Sequence, residues 1–275
     1  MCDFPLIGFG TWQINDEEEM EQAILSALHT GYRLLDTASA YGNEEIIGKA
    51  ISQSGVAREE LFISGKVWND DRGFDNTLYA FEKTLTNLKI DYLDSYLIHW
   101  PASIAVYGKK EAERINRETW RALERLHEEG RVRYVGVCNC LVHHLEELEV
   151  TGNVRPMINQ IECHPGYMQK EVITYCQEKD IIVEGWSPLA HGKMMKKSVL
   201  KEIAEKYERT VAQICLRWCV QHGIVPIPKS SNPSRIIENY SIFDFSMDSE
   251  DMYLIDELPY LGGMAFNPDE ITIFN

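Results

Sequence analysis

"YRLLDTASAYGNEE", Tyr32 to Glu45, closes a short apolar run on a carboxylate, Asp36, and places Tyr41 five residues beyond it. Aspartate is a poor strand residue, so an acid that ends a β-like run has some other task. The small side chains of "TASA" between the two would let something bulky come close to the backbone.

Outward from this stretch the same kind of run recurs. "LFISGKV", "DSYLIHW", "RYVGVC", "PMINQIE", "DIIVEGWS" and "GIVPIPK" are short, apolar and partly β-branched, with "NYSIFDF" a weaker eighth. Amphipathic segments separate them. "NDEEEMEQAILSALHTG" opens on Asn15 or Asp16 as cap and carries acids in its first turn. It sets Met20, Ala23, Ile24, Ala27 and Leu28 on one face and stops at Gly31. "NRETWRALERLHEEG" stops likewise at Gly130, and Thr210 can cap the helix that runs to Gly223. Such alternation means a parallel sheet, and its length fits an α/β fold of the (β/α)8 TIM barrel type better than an open doubly wound sheet. No linker or low-complexity tract divides the chain, so 1–275 reads as a single domain. "FPLIGFGTWQI" precedes the first unit and reads as a short N-terminal β-hairpin across the barrel's bottom. Its "GFG" is no dinucleotide fingerprint, because Gln13 stands where the third glycine belongs and no βαβ unit surrounds it.

A net charge of −16 opposes nucleic acid and anionic membranes, so any anionic ligand must be met by a local basic pocket. No apolar run reaches membrane length and no signal peptide is visible, which makes a cytoplasmic protein the expectation. Seven scattered cysteines suit reduced thiols. Cys215, Cys219 and His222 fall at helical spacing, as metal ligands would, but the helix around them is apolar and buried structural cysteine is the better reading. Cys138 and Cys140, on either side of Asn139, are too close for a comfortable disulfide. No metal site is expected.

In a parallel barrel the C-terminal strand ends share one mouth. Asp36 with Tyr41, then Lys66, then His99 stand at the ends of the first three runs. Each alone has an ordinary structural explanation; together they suggest a proton relay centred on a phenol. A lysine ammonium would lower the tyrosine's pKa, an aspartate would hold the lysine, and a histidine would orient a substrate oxygen. Such a site polarises a carbonyl and gives it a proton while a hydride donor attacks the carbon.

The blocks "GYRLLDTASAYGNE", "LFISGKVW", "DSYLIHWP", "VGVCN", "NQIECHP", "EGWSPL" and "IPKSSNPSRIIEN" together resemble the aldo-keto reductase family over essentially the whole chain. The short loops resemble its compact microbial branch of 2,5-diketogluconate reductases and prostaglandin F synthases. The resemblance implies that Tyr41 is the general acid, supported by Lys66, Asp36 and His99. It implies cofactor contacts from Gly10, Thr11 and Trp12, from Asn139 and Gln160 on the nicotinamide carboxamide, and from Trp186 stacked on the ring. Ser187, Pro188 and Leu189 would follow the pyrophosphate, with transfer of the pro-R hydride. Lys229, Ser230, Ser231, Asn232 and Arg235 would meet a 2′-phosphate, which favours NADP(H), and Glu238 with Asn239 would hold the adenine. Two departures are Cys138 and Cys140, where members commonly have serine and phenylalanine; a thiol at 138 would make one carboxamide contact weaker.

By the same resemblance Trp12, Tyr41, Trp68, His99 and Trp100 line an aromatic pocket for a small-molecule carbonyl substrate, the chain acting as a monomer. Lys109, Lys110 and Arg114 could attract a carboxylated substrate, though solvated helix charges explain them better. Two rivals stay open: an NADP-binding sensor or structural barrel with little turnover, and a lyase with Lys66 as Schiff-base nucleophile.

Overall fold

The structure is a computed structural model and describes residues 4–14, 16–264 and 266–272. Eight strands stand in chain order: β1 (Gly8–Gly10), β2 (Leu34–Asp36), β3 (Phe62–Val67), β4 (Leu93–Ile98), β5 (Val132–Cys138), β6 (Ile158–Glu162), β7 (Ile182–Trp186) and β8 (Ile224–Ile227). Neighbours pair in parallel throughout. Gly10 N donates to Pro228 O (3.0 Å), just past β8, which brings the first and last strands together into a nearly closed barrel. Helices between the strands cover its outside. Among the described residues no helix is long and apolar enough to cross a membrane.

The helix signals act as their chemistry predicts. Asp16 caps Glu17–Thr30 by accepting the N–H of Glu19, three glutamates occupy the first turn, and Gly31 ends it at φ 123°. Asn15 lies outside the described residues, as does Cys2. The buried face is Met20, Ala23, Ile24, Ala27 and Leu28. Thr210 and Gln213 form a reciprocal cap on Val211–Gln221. Lys109–Glu128 begins earlier than its sequence signals suggested; Lys109 and Arg114 on its first turns pair with Glu113, Glu111 and Glu118 on the solvated face.

The expected N-terminal hairpin is corrected: none forms among the described residues, because Gly8–Gly10 is itself a barrel strand, in register with Leu34 to Asp36. A Cβ on Gly8 would stand 2.6 Å from Leu34 Cδ2, so this strand fits against β2 only where it carries no side chain. Phe9 turns outward against Tyr32, ring centroids 5.6 Å apart. "NYSIFDF" is not a strand: Asn239 and Tyr240 end the helix Pro233–Tyr240, and the apolar residues beyond them pack against the helical layer, Phe245 on Tyr207. At the barrel's bottom Phe4 instead packs with Tyr134 and Ile182 against the lower interior, its ring 4.7 Å from Phe62 and 5.4 Å from Tyr134.

Alternation along each strand then sets a gradient inside the barrel. Leu34, Phe62, Val225, Leu97 and Ile158 fill the lower interior. Two residues further along their strands, Asp36, Ser64 and Gln160 take the same inward face, with Lys66 beyond Ser64. The polar end of the interior is the end where the strands deliver the site.

Candidate active site

Lys66, fully buried, donates to Asp36 Oδ1 (2.6 Å), to Thr37 O (3.0 Å) and to Tyr41 Oη (3.4 Å). Tyr41 is held there by a short 3-10 turn, Ser39–Tyr41, which closes on Gly42 at φ 66°. Small residues make that turn possible: Ser39 Oγ donates to Lys66 O (3.3 Å), so the turn is stitched to the strand that carries the lysine. Beside the phenol stand His99, whose ring is 5.7 Å from that of Tyr41, and Trp68, 5.0 Å from His99.

Electrostatics assign these groups their protonation states. Burial opposes the charge on Lys66, but Asp36 and then Tyr41 and Cys138 favour it, and the ammonium is held above its ordinary range. A lysine so held has no lone pair for a substrate carbonyl, which counts against the Schiff-base reading. The expected lowering of the Tyr41 pKa is only half right: Lys66 pulls it down, but burial outweighs that and, with Asp36 adding, pushes the phenol up to about 12. Tyr41 is therefore a phenol, not a phenolate, across the neutral range. Burial, with Lys66 and Arg72 adding, keeps His99 well below the usual imidazole value, so it is neutral. Its Nδ1 is buried without a hydrogen-bond partner.

The residues expected around a nicotinamide are joined to this group. Thr11, buried, donates through Oγ1 and N to Asp36 O (2.9 and 3.2 Å), and its own carbonyl accepts from Asn43 Nδ2 (3.0 Å). Asn139, at φ 58°, donates from Nδ2 to His99 O (3.1 Å) and accepts from Trp186 Nε1 (3.0 Å). Gln160 Nε2 donates to Asp36 Oδ1 (2.8 Å) and to Glu184 Oε2 (2.7 Å). Both amide hydrogens of Gln160 are thereby used, leaving its oxygen, while Asn139 retains one N–H. One donor and one acceptor remain on the two residues, which is the complement of a primary carboxamide. Cys138 and Cys140 are buried thiols that burial holds in the protonated form.

Trp186 and Ser187 are half-buried at the end of β7, Ser187 in the left-handed region (φ 50°), followed by buried Pro188 and half-buried Leu189. Lys229 is exposed and lies beside Gly10: a Cβ placed on Gly10 would be 3.7 Å from Lys229 Cβ. Asn232 caps Pro233–Tyr240 through Oδ1, and Ser230 Oγ accepts the N–H of Asn232. Arg235 is exposed, Ser231 half-buried, and neither Arg235 nor Lys229 forms an ion pair among the described residues. Glu238 accepts from Thr210 Oγ1 (2.8 Å), and Asn239 is buried. Of the pocket tryptophans, Trp68 joins the His99 cluster, Trp12 is 46% exposed with its ring 5.9 Å from His191, and Trp100 receives Arg72 on its carbonyl (2.9 Å).

Cys215 and Cys219 are fully buried, and His222 turns away from them to bond Asp256 (2.9 Å). A different grouping, His143, His144 and Asp269, has metal-like proximity. His144 Nδ1, however, accepts the Leu141 N–H (3.1 Å), and burial with His143 lowers its pKa to about 4. The ring is neutral with its hydrogen on Nε2, 3.2 Å from Asp269 Oδ1, so that nitrogen has no lone pair to offer and the trio is a staple for the C-terminal segment.

Sequence reasoning missed Glu184, Thr37 and Asn43. Glu184 carried the same signal as Asp36, an acid inside an apolar run.

The model of the Aldo/keto reductase family matches residues 6–259. Glyoxal reductase of Bacillus subtilis (strain 168) is 48% identical over 269 residues, spanning 98% of this chain and 94% of that protein. Methylglyoxal reductase DkgA of Salmonella typhimurium is 41% identical over 268 residues, 97% of this chain and 94% of its own. Among solved structures, a Gox0644 mutant in complex with NADPH matches with a TM-score of 0.90 at 37% identity, covering 98% of this chain and 95% of that one.

Proposed function

The chain belongs to the aldo/keto reductase family and is a carbonyl oxidoreductase, and from that premise we propose that it reduces small aldehydes and ketones with NADPH, Tyr41 giving the proton. The observation that carries this reading is the Asp36–Lys66–Tyr41 chain of contacts, 2.6 and 3.4 Å long, at the polar end of a parallel barrel. Bound at that mouth, a reduced nicotinamide supplies the hydride. Tyr41 Oη, a protonated phenol, hydrogen-bonds the substrate oxygen and transfers its proton as negative charge develops there. Lys66, charged because Asp36 touches it, stabilises the phenolate that remains. Neutral His99 orients the oxygen from the other side.

The remaining N–H of Asn139 and the oxygen of Gln160 suit the carboxamide, and the Trp186 ring, fixed by its bond to Asn139, suits a stacking role. Gly10, Thr11, Trp12, Ser187, Pro188 and Leu189 border the same mouth in this reading, with Glu238 and Asn239 toward the adenine. NADP over NAD rests on Lys229 and Arg235, two exposed cations without ion-pair partners among the described residues of a chain with net charge −16. A doubly charged 2′-phosphate is their complement. Trp12, Trp68 and Trp100 give the pocket its aromatic character. The names of the two bacterial relatives favour small 2-oxoaldehydes as substrates. The test is NADPH oxidation by the purified protein over a panel of glyoxal, methylglyoxal and 4-nitrobenzaldehyde: turnover supports the reading, and NADPH binding with no turnover on any of them would replace it with a sensor.

A further inference from the structure

Glu184 is a fully buried carboxylate inside the barrel that the proton relay does not use. It lies on β7 in register with Gln160 on β6 and Val225 on β8. Its Oε2 accepts from Gln160 Nε2 at 2.7 Å, and its Oε1 is buried without a hydrogen-bond partner. The second hydrogen of the same amide goes to Asp36 Oδ1, on the opposite side of the barrel. One neutral amide thus bridges two carboxylates over a single ammonium, Lys66.

We propose that Glu184 is a positioning residue for the cofactor: with Asp36 it takes both hydrogens of the Gln160 amide, and so fixes the oxygen of Gln160 as the atom offered to the nicotinamide carboxamide. The proposal rests on the reading of this site as nicotinamide-dependent. An amide side chain can turn end for end, and its polarity is set by its partners. Two carboxylate oxygens accept only, so they admit only the NH2 end. Once Glu184 is protonated it gains an O–H that can donate to the Gln160 oxygen instead, and the constraint that Glu184 adds is lost, Asp36 alone then holding the amide.

Protonation is within reach of ordinary pH. Burial, with Asp36 adding and Gln160 and Lys66 opposing, pushes the Glu184 carboxyl up to about 7. The groups facing it are Asp36 from β2, Lys66 from β3, the Cys138 thiol from β5 and Gln160 from β6; Gly8 and Gly10 of β1 and Val225 of β8 bring no charge. Asp36 holds Lys66 charged against burial, and burial holds the Cys138 thiol protonated, so neither changes state near neutrality as Glu184 does.

The experiment compares NADPH affinity of the wild-type protein and Glu184→Gln, by quenching of tryptophan fluorescence, from about pH 5.5 to 8.5, either side of the Glu184 titration. Titration of the cofactor's own 2′-phosphate is common to both proteins and cancels in the ratio of their Kd values. That ratio should be about 3- to 10-fold above pH 7, the worth of one oriented hydrogen bond, and fall towards one at the acid end as the wild type loses its constraint. A ratio that is one throughout, or constant with pH, would overturn the proposal. A second measurement needs no variant: at about pH 7, NADPH should deplete the protonated-carboxyl stretch in the infrared difference spectrum of the wild type, and an unchanged band would overturn it too. Failure of the wild type to bind NADPH at any pH would instead remove the reading of the site, and this proposal with it.

Discussion

The Nζ of Lys66 lies 2.6 Å from Oδ1 of Asp36, and both groups are buried at the mouth of the barrel. A buried pair of this kind is not a source of net stability, because desolvating the two charges costs about what their attraction returns. Its use here is to keep a positive charge 3.4 Å from the Tyr41 oxygen.

Removing one partner leaves the other as an uncompensated buried charge. Lys66→Met should therefore lose about 3–5 kcal/mol of stability in urea unfolding. Asp36→Asn combined with Lys66→Met should regain most of it while staying inactive. A double variant no more stable than Lys66→Met would mean that packing, not charge, holds the pair in place.

The protonation states predict a simple pH profile. Burial puts the Tyr41 phenol at about 12, so the acid needed for reduction is present throughout the neutral range and is lost only on the alkaline side. At saturating NADPH, kcat for reduction should stay level from about pH 6 upward and fall only as pH nears the phenol's value of about 12, where alcohol oxidation, which needs the phenolate as base, should rise. His99, already neutral, adds no acid limb. An inflection near the ordinary histidine value would contradict that placement.

Lys229→Ala and Arg235→Ala should each raise the KM for NADPH by about tenfold, the scale of a hydrogen bond to a charged group, and leave that for NADH nearly unchanged. Equal losses with both nucleotides would move these residues away from the 2′-phosphate.

Glu184 makes a prediction about stability that is independent of catalysis. Its folded-state value of about 7 is above the ordinary 4.5, so between those values the folded protein holds a proton that the unfolded chain has released. Stability attributable to Glu184 therefore falls as pH rises from 4.5 to 7 and stays low above that. Glu184→Gln, which cannot ionise, should melt a few degrees higher than the wild type at about pH 8 and with no advantage at about pH 4.5, followed by calorimetry. A constant difference across that range would show that Glu184 does not titrate there.

The four-residue cluster was legible because Asp36, Lys66 and His99 are polar residues towards the ends of apolar runs, where period and spacing are strong signals, and Tyr41 follows the first run by five residues. β1 was not: three residues, two of them glycine, carry no strand propensity, and their place in the barrel is set by how closely they fit against Leu34 and Ile227. "NYSIFDF" misled because its aromatic residues serve the helical layer. The Gln160 contacts were beyond reach for a different reason, since the bond to Asp36 joins positions 124 residues apart across the barrel. Glu184 could have been found, but in the "EGWSPL" block the aromatic Trp186 and the turn residues Ser187 and Pro188 are the stronger signals.

Proton delivery by Tyr41 is tested most directly by single-turnover reduction of methylglyoxal by bound NADPH in the wild type and in Tyr41→Phe. NADPH affinity should be unchanged in the variant and the reduction step slower by about 10²–10⁴, the scale of general acid catalysis. Reduction by Tyr41→Phe at near the wild-type rate would remove Tyr41 from the role of general acid.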